Sequence, residues 1–249
     1  MNAPECFQKA ANWQKAATSL FWLNAGLSFA LIFAKNSNYE AILSIPLCAL
    51  VAGSLMVSVR SRCLINDGNG AQRAVQIADA LGVACEHPVR NGYYNSSRSP
   101  GLPRLFAITC ESAGLTKEIL QEMLTIHVLK LSAYILIFLI YLGYAKADVS
   151  ILAVIAQTVC SGDLIGGLVN LLRYLHKVQK SEQALIQFFR TSSDINDPHA
   201  LAIGLAAHTD YECAKEESAV LLDSKIYDKR NSGYTERWNR LRSEFKIDS

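Results

Sequence analysis

Long apolar stretches alternate with polar blocks along this chain, and this pattern predicts helices that cross a membrane. Four stretches have this character, at about residues 16–34, 41–59, 124–145 and 149–172. An α-helix rises about 1.5 Å per residue, so that about 20 apolar residues span the hydrocarbon core of a bilayer. We therefore expect each of the four stretches to be long enough to span.

The third stretch is interrupted by a single charge, Lys130, which lies between Leu124–Leu129 and the uncharged Leu131–Ala145. A lysine can keep its stem among lipid tails while its ammonium group reaches the membrane surface. Only short polar turns separate the first stretch from the second and the third from the fourth. The pattern therefore predicts an all-α integral membrane protein built from two transmembrane helical hairpins.

The remaining sequence predicts helices outside the membrane. The expected organisation is an N-terminal lead and first hairpin at 1–62, a helical insert at 63–123, a second hairpin at 124–172 and a helical tail at 173–249. Within the insert, apolar spacing predicts a helix at 70–81 that ends at Gly82, and Thr116 is expected to begin another helix. The sequence NDGNG at 66–70 is typical of a turn. Asp197 followed by Pro198 predicts a helix start in the tail.

Positive charge is distributed unevenly between the predicted spans. Of the 24 Lys and Arg residues, two precede the first span, eight lie at 60–130 and twelve follow Leu172, whereas each hairpin turn has one. The positive-inside rule therefore places both termini, the insert and the tail in the cytoplasm, with the spans in the inner (plasma) membrane. The formal net charge of +2 gives no basis for nucleic-acid binding. The alternative is a soluble protein with four buried core helices, but four long apolar stretches with polar flanks favour the membrane.

Asp163 is the one formal charge in the fourth stretch. An ionised carboxylate at the centre of a bilayer costs about 2.5–3.5 kcal/mol on insertion scales, and such residues usually face a cavity or a partner. Asp163 lies about 14 Å from Leu172 along a helix, which places it near the middle of the membrane. One interpretation is a pore-lining or proton-sensitive group, repeated as a ring in an oligomer. The alternative is a structural hydrogen bond to Asn24 or Ser28.

Further polar and small residues lie in the predicted spans. Four polar side chains are expected to line a pore or to bond between helices, together with Asp163: Asn170, Gln157, Asn24 and Ser28. Three glycines are expected to allow close helix packing: Gly162, Gly166 and Gly167, of which the first two form a G-x-x-x-G pattern.

The sequence contains no pattern that predicts catalysis, a cofactor or a metal. Its five histidines are scattered without the spacing of a metal site, and no Walker A, G-x-G-x-x-G or G-x-S-x-G motif occurs. Seven cysteines without a C-x-x-C pair are expected to be reduced thiols. We therefore expect a protein that is not an enzyme. A triggered pore, a constitutive channel or small transporter, and a non-conducting scaffold for a cytosolic partner all remain open.

The tail stretch LLDSKIYDKRNSGYTERW contains Asp223, Ile226, Tyr227 and Arg230, and a polar helix with Tyr211 precedes it. This stretch and the predicted topology resemble the bacterial SMODS-associated four-transmembrane effectors, which are regarded as pore-forming proteins of nucleotide-signal-linked antiphage systems. That family tends to have prolines ahead of its Ile-Tyr pair, where this chain has Leu221 and Leu222. The resemblance implies a membrane-disrupting effector that forms homo-oligomers when a cytosolic sensor or nucleotide-signalling protein activates it, and it implies no catalytic residues.

Overall fold

The computed structural model describes residues 2–33, 40–84, 96, 98–144, 165–191, 197–245 and 247. Within these residues the chain is all-helical, as predicted. The helices are α1 (Ala3–Phe33), α2 (Glu40–Leu81), α3 (Leu102–Tyr144), α4 (Gly167–Thr191), α5 (Pro198–Ser218) and α6 (Ser224–Glu244). Most of the fourth predicted span lies outside the described residues, and its last eight residues lead into α4.

Two of the helices are longer than predicted. The helix expected at 70–81 is the end of α2, which runs for 42 residues, and the predicted turn at 66–70 is wrong because α2 continues through it. The ring of Phe7 in α1 packs against Gly68, in the space that a Cβ atom would fill. Gly68 therefore allows α1 and α2 to approach closely and does not reverse the chain.

The predicted helix start at Thr116 is also wrong, because Thr116 lies inside α3, a single helix of 43 residues. Its hydroxyl contacts the hydroxyl of Tyr211 at 3.1 Å and does not cap a helix. Consequently α3 passes from the predicted insert into the predicted second hairpin without a break, and α2 likewise joins the first hairpin to the insert.

Local capping chemistry fixes several helix ends. Gly82 has a φ of +69° directly after α2, which confirms it as the terminator, because glycine adopts this conformation without strain. Asp197 caps α5 by accepting a hydrogen bond from the backbone N–H of Ala200 at 3.0 Å, with Pro198 in the first turn. The predicted start of α5 is thereby confirmed. Asp223 caps α6 by accepting from Lys225 N at 2.8 Å and Ile226 N at 3.2 Å.

The buried core lies outside the predicted spans, except for Leu171 near the end of the fourth. Aromatic and aliphatic side chains from α3, α4 and α6 form its main cluster, which includes Phe106, Ile108, Leu185, Phe188 and Trp238. A second cluster joins α3, α4 and α5 through Leu120, Leu171, Tyr174, Val178 and Tyr211. The ends of α2, α3 and α4 and the whole of α5 and α6 therefore pack as one helical bundle, here called the core bundle.

Large apolar side chains are exposed on the other parts of α1, α2 and α3. Ten of them have more than half of their surface exposed: Trp22, Leu23, Ile45, Leu55, Met56, Val59, Leu129, Leu136, Leu139 and Ile140. Among the described residues, two helical segments are long and apolar enough to cross a membrane by length and composition, Cys48–Leu81 and Leu102–Leu136. Few residues of their most apolar windows are buried, whereas the core helix of a soluble protein is mostly buried.

Candidate functional site

Several of the predicted membrane-embedded site residues lie outside the described residues, namely Asp163, Gln157, Gly162 and the side chain of Ser28. Asn24 is described, on α1, and is half-buried. Its Oδ1 atom is buried and has no hydrogen-bond partner within the described part of the chain. An inter-helix hydrogen bond from Asn24 therefore stays a prediction.

Asn170 lies in the first turn of α4, beside the core bundle. Its Nδ2 donates a hydrogen bond to the carbonyl oxygen of Ser218, the last residue of α5, at 2.7 Å. The final carbonyls of a helix lack partners within the helix, so that this bond satisfies one of them. Asn170 thus has a clear structural role in joining α4 to α5.

Gly166 and Gly167 have open space around them. A Cβ atom built on either glycine would meet nothing within 4 Å in the described part of the chain. Close packing of these glycines against another helix of the same chain is therefore not seen there, and packing against a second copy stays a prediction.

A cavity of about 830 Å³ lies between the core bundle and Phe7 of α1, and we call it the central cavity. Its walls come from all six helices and from the segment between α5 and α6. The residues that line it are Phe7, Asn69, Gln72, Gln76, Glu111, Ser112, Leu115, Thr116, Ile119, Tyr174, Tyr211, Lys215, Val220, Leu221, Leu222, Ser224, Tyr227, Asn231, Tyr234 and Thr235. Its volume is in the range of small-molecule sites.

The walls of the central cavity combine polar and apolar side chains and carry little charge. Four side-chain amides and four tyrosines line it, whereas Glu111 and Lys215 are the charged side chains among its lining residues. The Nζ of Lys215 is held by Glu212, at 3.1 Å from Oε1, and lies 5.4 Å from the centre of the Tyr211 ring. The charge of the Lys215 ammonium group is thus balanced by Glu212 within the bundle.

A buried hydrogen-bond network supports one wall. The hydroxyl of Thr109 donates to the carbonyl oxygen of Leu105 at 2.8 Å, and its oxygen accepts from Gln76 Nε2 at 3.2 Å. The Nδ1 of His208 lies 2.9 Å from the same oxygen. Because the hydroxyl proton is directed to Leu105, Nδ1 is the donor in this contact. Burial lowers the pKa of His208, and the nearby Glu212 partly opposes this effect.

Polar contacts attach α6 to α3 along another wall. The hydroxyl of Tyr234 donates to the carbonyl oxygen of Glu111 at 2.8 Å, and burial raises the pKa of Tyr234. Glu122 accepts from Lys229 Nζ at 2.7 Å and from Arg230 Nε at 2.6 Å. An ion pair between Arg237 and Glu118 adds a further link. These contacts fix the position of α6 relative to a helix that continues into the exposed apolar region.

The described residues contain no group of three or more His, Cys, Asp or Glu side chains that could hold a metal ion. The central cavity itself was not predicted from the sequence. Tyr227, which belongs to the tail stretch that carries the family resemblance, is one of its lining residues. Two other residues of that stretch have structural roles: Asp223 caps α6, and Arg230 forms an ion pair with Glu122.

No protein-family model, curated protein or solved structure matches this chain. The family resemblance therefore depends on the tail stretch and the predicted topology alone.

Proposed function

We propose that this chain is a membrane effector that forms homo-oligomers and permeabilises the inner membrane, in bacterial antiphage defence. Four spans cross the membrane, and both termini and the core bundle lie in the cytoplasm. The observation that carries this proposal is the division of the molecule into a packed core bundle and helices whose large apolar side chains are exposed. Because contact with water costs about 25 cal/mol per Å² of apolar surface, lipid is the favourable environment for the exposed helices.

A continuous helix links the cytosolic part to the membrane part. On α3, Glu111 lines the central cavity, and Leu136 lies 25 residues further along in the exposed apolar region. This separation corresponds to about 37 Å of helix without a break. A change in the walls of the cavity can therefore be transmitted to the spans by a rigid element, which supports a role of the core bundle in receiving the activating signal.

Asp163 is the proposed pore-lining residue. A carboxylate in an otherwise uncharged span is expected to face a water-filled path or a partner. Symmetric assembly would repeat the carboxylate as a ring around a cation pathway. Asn24 of α1 has a buried Oδ1 without a partner in the described residues. We expect this polar group to face the interior of the assembled bundle.

The test is inducible expression together with a membrane-potential dye, with and without the activating partner. We expect the native chain to depolarise cells only when it is activated, and Asp163→Ala to change the conductance. Asp210→Ala is the matched control, because Asp210 is an exposed carboxylate of α5 outside the predicted spans. Depolarisation without a trigger would instead indicate a constitutive channel. No depolarisation under activation would favour a non-conducting scaffold.

A further inference from the structure

Five exposed cationic side chains lie where the core bundle gives way to the exposed apolar helices. They are Lys15, Arg60, Arg62, Lys130 and Arg173, and we call them the cationic band. They come from four helices that are far apart in sequence, so that the fold brings them to one region.

Contacts in the first hairpin fix the level of three of these cations. The hydroxyl of Ser61 in α2 donates to the carbonyl oxygen of Ala10 in α1 at 3.3 Å. Arg60 and Arg62 flank Ser61, and Lys15 lies five residues beyond Ala10, or about 7.5 Å along the helix. Lys15 is thus slightly closer to the membrane centre than the two arginines.

The levels of the other two cations follow from the packing of α3 against α4. Leu171 of α4 belongs to the buried cluster against which Leu124 of α3 packs, and Arg173 follows Leu171 by two residues. Lys130 lies six residues beyond Leu124, or about 9 Å along α3.

A ring contact relates the two pairs of helices. The ring centres of Trp22 in α1 and Tyr134 in α3 are 6.5 Å apart. Trp22 lies 12 residues beyond Ala10, and Tyr134 lies ten residues beyond Leu124. Along their helices, Ala10 is about 18 Å and Leu124 about 15 Å from this ring contact, so that the levels of Ala10 and Leu124 differ by about 3 Å. With the offsets given above, the five cations occupy a layer roughly 15 Å thick or less.

The cationic band has no carboxylate partners among the described residues. Within the part of the chain that the structure describes, none of the five cations forms an ion pair. Cations elsewhere in the bundle do have such partners, as Arg73 has Glu216 at 2.5 Å and Arg104 has Asp79 at 3.2 Å. The cationic band therefore concentrates positive charge that the described residues leave uncompensated.

We propose that the cationic band binds the headgroups of anionic phospholipids. This inference rests on the membrane insertion in the proposed function, because the band then lies at the cytoplasmic headgroup layer. Arginine and lysine form charge-assisted hydrogen bonds with phosphate oxygens, and arginine can do so through two N–H groups at once. Each cation near an anionic surface is expected to strengthen binding roughly fivefold. Zwitterionic lipids have no net negative charge and therefore cannot compensate the positive charge of the cationic band.

The experiment uses the full chain in a neutral detergent and measures its thermal unfolding during titration with dioleoyl phosphatidylglycerol. Dioleoyl phosphatidylcholine and inorganic phosphate are the comparison probes. We expect a rise in melting temperature with phosphatidylglycerol only, since the band requires a headgroup held at the membrane layer. Equal stabilisation by both lipids, or stabilisation by free phosphate alone, would overturn the proposal.

Charge-removal variants locate the site. The variant with Arg60→Gln, Lys130→Gln and Arg173→Gln is expected to weaken the apparent affinity for phosphatidylglycerol roughly 100-fold. The matched control removes three exposed cations from the far part of the core bundle: Lys180→Gln, Arg190→Gln and Arg240→Gln. An equal loss of affinity in both triple variants would overturn the assignment.

A second measurement does not depend on the variants folding. Native mass spectrometry of the unmodified chain, extracted from vesicles with equal amounts of the two lipids, is expected to retain phosphatidylglycerol preferentially. Equal retention would contradict the proposal. A chain that selects phosphatidylglycerol but never permeabilises a membrane would contradict the proposed function alone.

Discussion

The hydroxyl of Tyr234 occupies the space that a side chain at Gly114 would fill, and from there it bonds to the carbonyl oxygen of Glu111. Glycine inside a helix costs roughly 0.5–1 kcal/mol relative to alanine. At position 114 this cost is offset by a close contact between α3 and α6. The contact lies beside the central cavity, so that the placement of α6 depends on one glycine of α3.

Gly114→Ala is expected to destabilise the core bundle by about 1–3 kcal/mol, because the added methyl group displaces the Tyr234 hydroxyl and leaves a buried donor without a partner. The free energy of unfolding of the full chain in detergent, from denaturant titration, measures the effect. Gly233→Ala is the control, since a Cβ atom there meets nothing within 4 Å. A Gly114→Ala protein as stable as the control would refute the packing argument.

The same pair predicts strong non-additivity. Tyr234→Phe removes the hydroxyl and is expected to cost about 0.5–1.5 kcal/mol alone. In the Tyr234→Phe background, Gly114→Ala should cost less than in the native background, because the displaced oxygen is no longer there. A double-mutant cycle measures this interaction free energy. Additive effects would show that the two residues do not interact.

Lys117 and Glu182 form an ion pair between α3 and α4, with Nζ 2.7 Å from Oε1, and the Glu182 side chain is only 8% exposed. Lys117→Met leaves this carboxylate buried without its cation and is expected to destabilise the chain by about 3–5 kcal/mol. Lys177→Met is the control, because the Lys177–Glu217 pair is exposed and should be worth at most about 1 kcal/mol. Chemical denaturation of both variants tests the prediction, and similar losses would contradict it.

Ser112 lines the central cavity, and Ser112→Phe places an aromatic ring into it. If the cavity receives the activating signal, we expect this variant to lose most triggered depolarisation while it still inserts into the membrane. Ser243→Phe, at an exposed position near the end of α6, is the matched control and should respond as the native chain does. The membrane-potential assay together with membrane fractionation checks both. Full activation of Ser112→Phe would exclude the cavity as the signal receiver.

Local sequence chemistry predicts the helical character and several helix ends of this chain. The Asp197-Pro198 start and the Gly82 stop depend on backbone preferences within a few residues, and both are confirmed. Gly68 shows the limit, because the same glycine that favours a turn locally lies inside α2, where the Phe7 ring of α1 packs against it.

The central cavity could not be predicted from the sequence, again because it depends on tertiary packing. Phe7, Gln72 and Tyr227 become neighbours only after six helices pack together. The sequence around each of these residues is ordinary for the solvated or core face of a helix. Nothing in it indicates that residues so far apart along the chain come into contact. Cavities of this kind are properties of tertiary packing.

His208 gives the core bundle a predicted pH dependence. Burial is the main cause that lowers its pKa, Lys215 and Arg73 act in the same direction, and Glu212 opposes them. The unfolded chain therefore binds a proton near pH 6.5 that the folded chain does not bind. Folding stability from this group is fully present above about pH 7 and is lost as the pH falls towards the lowered pKa. The slope is at most about 1.4 kcal/mol per pH unit.

Denaturant titrations of the full chain between pH 5 and 8 measure this slope. His208→Gln retains a side-chain donor for the Thr109 oxygen but cannot titrate, so that it should flatten the loss of stability between about pH 5 and 6.5. His199→Gln, at an exposed position in the first turn of α5, should leave the slope unchanged. An unchanged slope in His208→Gln would mean that other groups control the pH dependence. A flattened slope would show that His208 is kept neutral in the folded chain, as its burial predicts.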